Sequence, residues 1–343
     1  MKNILITGGA GFISHHIIYY LIKNTNWNIV SLDRLDYSGN LNRLDNILSK
    51  VSNKEKQRVK ILFHDLKSEI NPWIKKEIGE INVILHLAAG SHVDRSIDYP
   101  MEFVMDNVVG TANILEYARF INDSIGLERF VYFSTDEIFG PAPKGVNYKE
   151  NDRYNSTNPY SATKAGGEEL AVAYENTYNL PVFITHTMNV FGERQHPEKF
   201  IPMCIKKIRD GETITVHSDK TKTIPGTRHY IHAKDVAEAL HFLLSNKIIN
   251  EVDYGGAKCP KFNIVGSEEI NNLELANIIA SSQGKELKYE MVDFHSSRPG
   301  HDLRYSLSGE KMKNLGWTPS IKLSDRINEV VNYVIDNYKN NIS

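Results

Sequence analysis

The sequence predicts a doubly wound α/β fold: a parallel sheet with helices on both faces and a smaller, discontinuous region packed beside it. Three observations carry this. Short apolar runs recur at 3–7 (NILIT), 28–32 (NIVSL), 59–63 (VKILF), 81–86 (INVILH) and 129–134 (RFVYFS), as expected of strands buried on both faces. Helix-length segments separate them, and alternating strands and helices with right-handed crossovers build a parallel sheet. A glycine turn, TGGAGFIS at 7–14, ends the first run and opens the first helix.

Taken in order, residues 3–7 form the first strand and 12–24 the helix after the turn. The segment 100–121 carries Val104, Val108, Ala112, Leu115 and Ala118 at helical spacing, so it reads as one amphipathic helix. Pro159 can start a further helix over 158–178 from its first position. Gly166 and Gly167 inside it cost about 1 kcal/mol each against alanine, which implies close packing there. From about 190 the regularity weakens, with Pro197, Pro202, Pro225, Pro260 and Pro299 interrupting shorter elements. Residues 229–246 again read as strand and helix and 261–265 as a strand. The predicted division is therefore a Rossmann domain over 1–189 with returns at about 229–247 and 261–265. A substrate-binding region takes 190–228 and 248–320, and a terminal helix 321–343.

Of 343 residues, 41% are apolar, ample for a sizeable core. Lys and Arg number 40 against 42 Asp and Glu, a net charge of -2 with no basic block, which argues against a nucleic-acid partner. Cys204 and Cys259 lie in no CxxC pattern, so reduced, structural thiols are expected. The start MKNILITGG runs straight into a strand, and no stretch approaches the ~20 apolar residues of a membrane helix. The expectation is a cytoplasmic protein without a membrane partner.

Gly8 and Gly11 permit a tight turn and close approach of backbone to a pyrophosphate at a helix N-terminus; Ser14 takes the third small position. Asp33 ends the second strand, 22 residues after Gly11, where a carboxylate accepts hydrogen bonds from ribose hydroxyls and repels a 2'-phosphate. Arg34 follows and could serve NADP, but with Asp33 in place NAD is the expected cofactor. Asp65 and Leu66 after the third strand, and Leu87, Ala88 and Ala89 after the fourth, fall at the carboxyl edge of the sheet, where ligands bind.

Tyr160 and Lys164 stand four residues apart on one helical face, a spacing that lets an ammonium, together with the positive charge of a nicotinamide, favour a phenolate. Thr135, at the end of the fifth strand, can share a hydrogen bond with a substrate hydroxyl. Asp136 and Glu137 are adjacent carboxyl groups, and neighbours in one pocket need not both ionise: one can remain an acid while the other acts as a base. His15, His16, His229 and His232 lack a supporting carboxylate pattern, so structural roles rather than a metal site are expected.

These residues resemble the extended short-chain dehydrogenase/reductase superfamily and, within it, the nucleoside-diphosphate-glucose 4,6-dehydratases of the dTDP-glucose 4,6-dehydratase family. The resemblance covers nearly the whole chain. It rests on GGAGFI at 8–13, DRLDYSGNL at 33–41, LAAGSHVDRSI at 87–97, STDEIFG at 134–140, NPYSATKA at 158–165, RQHPEKFIP at 194–202, RPGHDLRY at 298–305 and LGWTP at 315–319. It implies that Tyr160, helped by Thr135 and Lys164, takes the C4 hydroxyl proton of a nucleotide-linked glucose while hydride passes to NAD. Glu137 then removes the C5 proton, Asp136 protonates the departing C6 hydroxyl, and hydride returns to C6. The product is a 4-keto-6-deoxy sugar, with dTDP-glucose the first expected substrate and UDP-glucose the second. The same resemblance adds Phe12, Ile13, Leu35, Asp36, Ser91 and Asp106 to the cofactor contacts. It gives Ser91, Thr135, Asn189, Glu198, Lys199, Arg228, Asn263, Arg298 and His301 to the substrate, and implies a homodimer pairing the helices 100–121 and 158–178. That apolar stripe equally suits packing on the sheet. Gly90 stands where the family usually has Glu, Asp106 where it usually has Thr, and His217 where it usually has an aromatic residue near the base. A nucleotide-sugar 4-epimerase or decarboxylase would share Tyr160 and Lys164 but has no need of Asp136 and Glu137. An NAD-sensing scaffold would need none of the four.

Overall fold

The buried runs assemble into a seven-stranded, wholly parallel sheet. The computed structural model describes residues 2–36, 38–246, 259–293 and 303–339. The strands are β1 (Asn3–Thr7), β2 (Asn28–Asp33), β3 (Val59–Phe63), β4 (Val83–His86), β5 (Arg129–Thr135) and β6 (Val182–Thr187). Four more follow: β7 (Val190–Phe191), β8 (Ile214–Ser218), β9 (Thr227–His229) and β10 (Ile231–His232). Then come β11 (Lys261–Ile264), β12 (Glu269–Asn271) and β13 (Tyr289–Asp293). The large sheet has the order β11-β6-β5-β4-β1-β2-β3. Its direction of winding reverses between β1 and β4, and a crevice opens there at the carboxyl ends of the strands.

The helices are α1 (Phe12–Asn24), α2 (Leu41–Leu48), α3 (Asn53–Lys56), α4 (Pro72–Ile78), α5 (Val93–Asp98), α6 (Pro100–Val104) and α7 (Gly110–Ser124). Beyond them lie α8 (Pro159–Tyr178), α9 (Phe200–Asp210), α10 (Ala233–Ser245), α11 (Asn272–Ser282), α12 (Glu310–Asn314) and a last helix, Leu323–Lys339. One face of the sheet is covered by a core that includes Ile17, Leu21, Leu44 and Leu240, from α1, α2 and α10. The opposite face packs Ile74, Ile114, Leu115 and Ala171, from α4, α7 and α8. A third core, with Ile205, Val216, Ile279 and Val330, joins α9, β8, α11 and the last helix beside the sheet.

The segment expected as one helix over 100–121 is instead α6, a π turn over Met105–Val109, and α7. The Asn107 side chain supplies a reason. It accepts from Gly90 N (2.7 Å), donates to Gly90 O (3.1 Å) and donates to Thr163 Oγ1 (2.9 Å), so the residue is drawn out of the α register. The close packing expected of the two glycines in α8 is against this turn and the sheet. A Cβ on Gly167 would lie 2.5 Å from Tyr132 Oη and 2.6 Å from Asn107 O, and one on Gly166 3.3 Å from Val108 Cγ2. The strand expected from 229 divides into β9, which pairs with β12, and β10, which pairs with β7. Cys204 and Cys259 are buried free thiols. No helix among the described residues is long and apolar enough to cross a membrane.

Candidate active site

The crevice at the switch point is a cleft of about 610 Å³ that runs from the glycine turn, past the end of β5, to the third core. At its first end Gly8 takes a left-handed φ of +68°. A Cβ there would lie 2.9 Å from Ala88 backbone, and one on Gly11 2.8 Å from the Gly8 carbonyl oxygen. α1 begins at Gly11 without a side-chain cap, and Gly11, Phe12, Ile13 and Ser14 line the cleft. A bare helix N-terminus reached through a turn that only glycine fits is a cradle for pyrophosphate. The Asp33 carboxylate is held at the end of β2 by Ala10 N (3.0 Å) and Leu35 N (2.8 Å). Burial pushes its carboxyl up against the opposing pull of those two donors. Arg34, Asp36, Asp65, Leu66, Leu87, Ala88, Ala89, Ser91 and Asp106 complete this half of the lining. The residues present fit a dinucleotide.

At the centre, the end of β5 delivers Thr135, and a 3-10 turn over Asp136–Phe139 follows it. Thr135 Oγ1 donates to Asp136 Oδ1 at 3.1 Å, and Asn158 Nδ2 donates to Glu137 Oε2 at 3.3 Å. Asp136 Oδ2 is buried without a hydrogen bond. Burial first, and the Glu137 carboxylate second, push the Asp136 carboxyl up to about 7. α8 brings Tyr160 and Lys164 to the same wall: Asn158 caps it with a capping box and Pro159 occupies its first turn. Tyr160 N donates to Ser96 Oγ at 3.1 Å, and Lys164 Nζ to the Phe133 carbonyl oxygen at 2.6 Å. Burial holds Lys164 down at about 7. Burial also pushes the Tyr160 phenol up, and Glu137 adds to it, while the Thr135 hydrogen bond opposes both. The lowering expected of the lysine is therefore not supplied by the protein groups alone.

Beyond this wall the cleft is lined by Asn189, Glu198, Lys199 and Arg228. Arg228 lies 4.6 Å over the Tyr305 ring and donates to Leu303 O at 2.6 Å. His217, Tyr230, Asn272 and Tyr305 also face this end. Of these, Asn272, Tyr230 and Tyr305 were not expected from sequence. Tyr230 Oη donates to Asn272 Oδ1 at 2.8 Å, which fixes the orientation of the amide.

Two expected contacts lie elsewhere. Asn263 is fully buried in β11, where Oδ1 meets His186 Nδ1 at 2.9 Å and Nδ2 donates to the carbonyls of Tyr148 and Ser308. Its polar atoms are consumed in joining strands, and the asparagines that line the cleft are Asn189 and Asn272, the latter opening α11. Leu35, at a φ of +58°, packs on the core beneath the sheet rather than lining the cleft. Arg298 and His301 lie outside the described residues. Glu193, His232 and Glu329 form the one acidic and histidine cluster close enough for a metal among the described residues. The Lys234 ammonium already bridges its carboxylates at 2.6 and 2.9 Å.

A parallel sheet with a glycine-turn dinucleotide cleft, and a serine-threonine strand end facing a tyrosine-lysine helix, defines an extended short-chain dehydrogenase/reductase. The model of the GDP-mannose 4,6 dehydratase family matches residues 5–330, and the chain belongs to that family. It is 35% identical to the low-salt glycan biosynthesis protein Agl12 of Haloferax volcanii over 97% of this chain and 98% of that one. It is likewise 35% identical, over 98% of its length, to 47% of the trifunctional UDP-glucose 4,6-dehydratase/UDP-4-keto-6-deoxy-D-glucose 3,5-epimerase/UDP-4-keto-L-rhamnose-reductase RHM2 of Arabidopsis thaliana. Among solved structures, dTDP-glucose 4,6-dehydratase DesIV of Streptomyces venezuelae, with NAD and TYD bound, superposes with a TM-score of 0.83. It is 31% identical, with 98% of each chain covered.

Proposed function

We propose that the protein is an NAD-dependent hydro-lyase that converts a nucleoside-diphosphate-glucose to the 4-keto-6-deoxy sugar, with dTDP-glucose the first substrate and UDP-glucose the second. The observation that carries this is the Asp136–Glu137 pair in the same cleft as Tyr160 and Lys164. A tyrosine-lysine pair suffices for oxidation at C4, whereas elimination of water across C5 and C6 needs an acid and a base together. Asp136, held up at about 7 by burial, is the proton donor to the leaving C6 hydroxyl. Glu137, its amide partner Asn158 holding one oxygen, is the base for the C5 proton, which a 4-keto group acidifies.

Tyr160 takes the C4 hydroxyl proton, with Thr135 orienting that hydroxyl and its hydrogen bond opposing the upward push of burial on the phenol, and with Lys164 one helical turn away on the same wall. When bound, NAD supplies the reversible hydride store, accepting from C4 and giving back at C6. Asp33 holds the adenosine ribose and the N-terminus of α1 the pyrophosphate. Arg228 suits the sugar diphosphate because a guanidinium fork matches phosphate oxygens.

The reading extends to a cytoplasmic homodimer paired through α6, α7 and α8. Met101, Phe120 and Tyr178 on these helices are exposed, at 67%, 50% and 41%. Light scattering on the eluting peak should give twice the chain mass; a monomer ends that part of the proposal.

The function is tested by NMR on separate incubations with dTDP-glucose and UDP-glucose in deuterated water with NAD present. A 4-keto-6-deoxy product with deuterium at C5 is the expected result, and the faster substrate names the base. Sugar epimerised at C4 without loss of water would replace this reading with an epimerase.

A further inference from the structure

Arg34 follows the ribose-facing Asp33 and lines the adenosine half of the cleft, where a free guanidinium would be the natural receptor for a 2'-phosphate. It is not free. Its two terminal nitrogens lie against both oxygens of Asp106, with Nη2 donating to Oδ2 at 2.8 Å, a fork-to-fork pair across the cleft. Asp36 binds the same side chain, and Asp65 lies 3.5 Å from Nη1. The partners differ in grip. The Asp36 and Asp65 side chains are 39% and 40% exposed and can swing into water cheaply; that of Asp106 is 11% exposed and projects from the π turn. Space for its carboxylate is left by Gly90, where a Cβ would lie 3.0 Å from the Phe103 ring and 3.4 Å from Asp106 Oδ2.

We propose that Asp106 is a cofactor-specificity residue: by pairing with Arg34 it withholds that guanidinium from a ribose 2'-phosphate. NADP is then refused twice, once by the Asp33 carboxylate and once by the Arg34–Asp106 pair. This rests on the reading that Asp33 faces the ribose. Removing Asp33 alone leaves the guanidinium occupied, so the two residues act jointly and their substitutions are not additive.

The test equilibrates the purified full-length protein with an equal mixture of NAD and NADP, desalts it and quantifies the retained nucleotides. Wild type should retain NAD. Asp33→Ser should lose NAD without a matching gain of NADP. Asp33→Ser with Asp106→Asn should raise the NADP to NAD ratio about tenfold or more over Asp33→Ser, the worth of a charge-assisted hydrogen bond or two. Adding Arg34→Ala should cancel that gain, whereas general damage to the site lowers both nucleotides and leaves their ratio alone. The proposal is overturned if Asp33→Ser alone reaches the ratio of the double variant, or if Arg34→Ala leaves the gain intact. If Asp33→Ser retains nucleotides as wild type does while the double variant still shifts, the Asp106 role stands and the ribose assignment of Asp33 fails.

Discussion

Tyr160, Asp136 and Glu137 share one wall of the cleft but are asked for different things, and each can be tested alone. Tyr160→Phe keeps the ring and removes the proton acceptor. Turnover should fall by about 10²–10⁴, while retention of NAD through the distant Asp33 and glycine turn should persist; loss of both would assign Tyr160 a structural role. Asp136 must be protonated to act as an acid, and its carboxyl sits at about 7. The elimination rate should therefore decline as pH rises through about 7, and Asp136→Asn should remove that limb along with most of the rate. The stability sign follows from the same shift. A carboxyl raised in the folded state contributes stability that is full below the ordinary carboxylate range and lost as pH rises through about 7. Asp136→Asn should thus gain more in melting temperature over wild type at pH 8 than at pH 4. Most of this wall was legible in the sequence, because Thr135, Asp136 and Glu137 sit at a strand end and Tyr160 and Lys164 one helical turn apart. Asn272 was not. Asn263 sits within the strand KFNIV and Asn272 in the polar stretch EEINN, and only the third dimension shows the first consumed by His186 and backbone carbonyls while the second faces the cleft.

Among the elements, α1 and α8 were legible because their starts are written locally, in a glycine turn and in Asn158-Pro159, and their lengths follow from spacing. The break in the helix after Pro100 was not. Helical spacing over 104–118 averages across a turn of five residues, and the hydrogen bonds that open it come from Gly90 and Thr163, distant in sequence. The contact of α8 with this break yields a prediction. Gly167→Ala would set a Cβ 2.5 Å from Tyr132 Oη and 2.6 Å from Asn107 O, where backbone cannot yield. Alanine's better helix propensity returns only about 1 kcal/mol, against an overpacking cost of about 1–3 kcal/mol or more. Urea denaturation should show net destabilisation, whereas Gly166→Ala, facing only Val108 Cγ2 at 3.3 Å, should be close to neutral.

Across the molecule, the sheet is tied together behind the active site by a buried polar knot. Glu168, with no exposed side-chain surface, meets His186 Nε2 at 3.1 Å and Lys261 Nζ at 2.9 Å, joining α8, β6 and β11. Burial opposes its charge, but His186 and Lys261 more than offset that and hold the carboxyl well below its ordinary range. Lys261→Met would leave the carboxylate with one fewer cation and should cost about 3–5 kcal/mol, read as a lower urea midpoint with unchanged slope; a loss under 1 kcal/mol would show that the lysine is incidental. Composition announced the size of the core but not this knot, since its members are 18 to 93 residues apart in sequence.

The π turn has a consequence for how the chain tolerates a change of length. It holds five residues where an α turn would hold fewer, and two neighbours within it work in opposite directions: Asp106 reaches the cofactor cleft and Asn107 reaches Gly90 and Thr163. A π turn takes up one residue more than an α turn over nearly the same sweep, so deleting one residue from 105–109 would let the segment relax into ordinary helix with the flanking helices still in register, and the side chains inside the turn would be re-aimed. Clasp and anchor would be lost in a single event, although no side chain had been altered. The helices on either side would keep their places while the contacts to Arg34, Gly90 and Thr163 were lost, so the number of residues in this stretch matters as much as their identity.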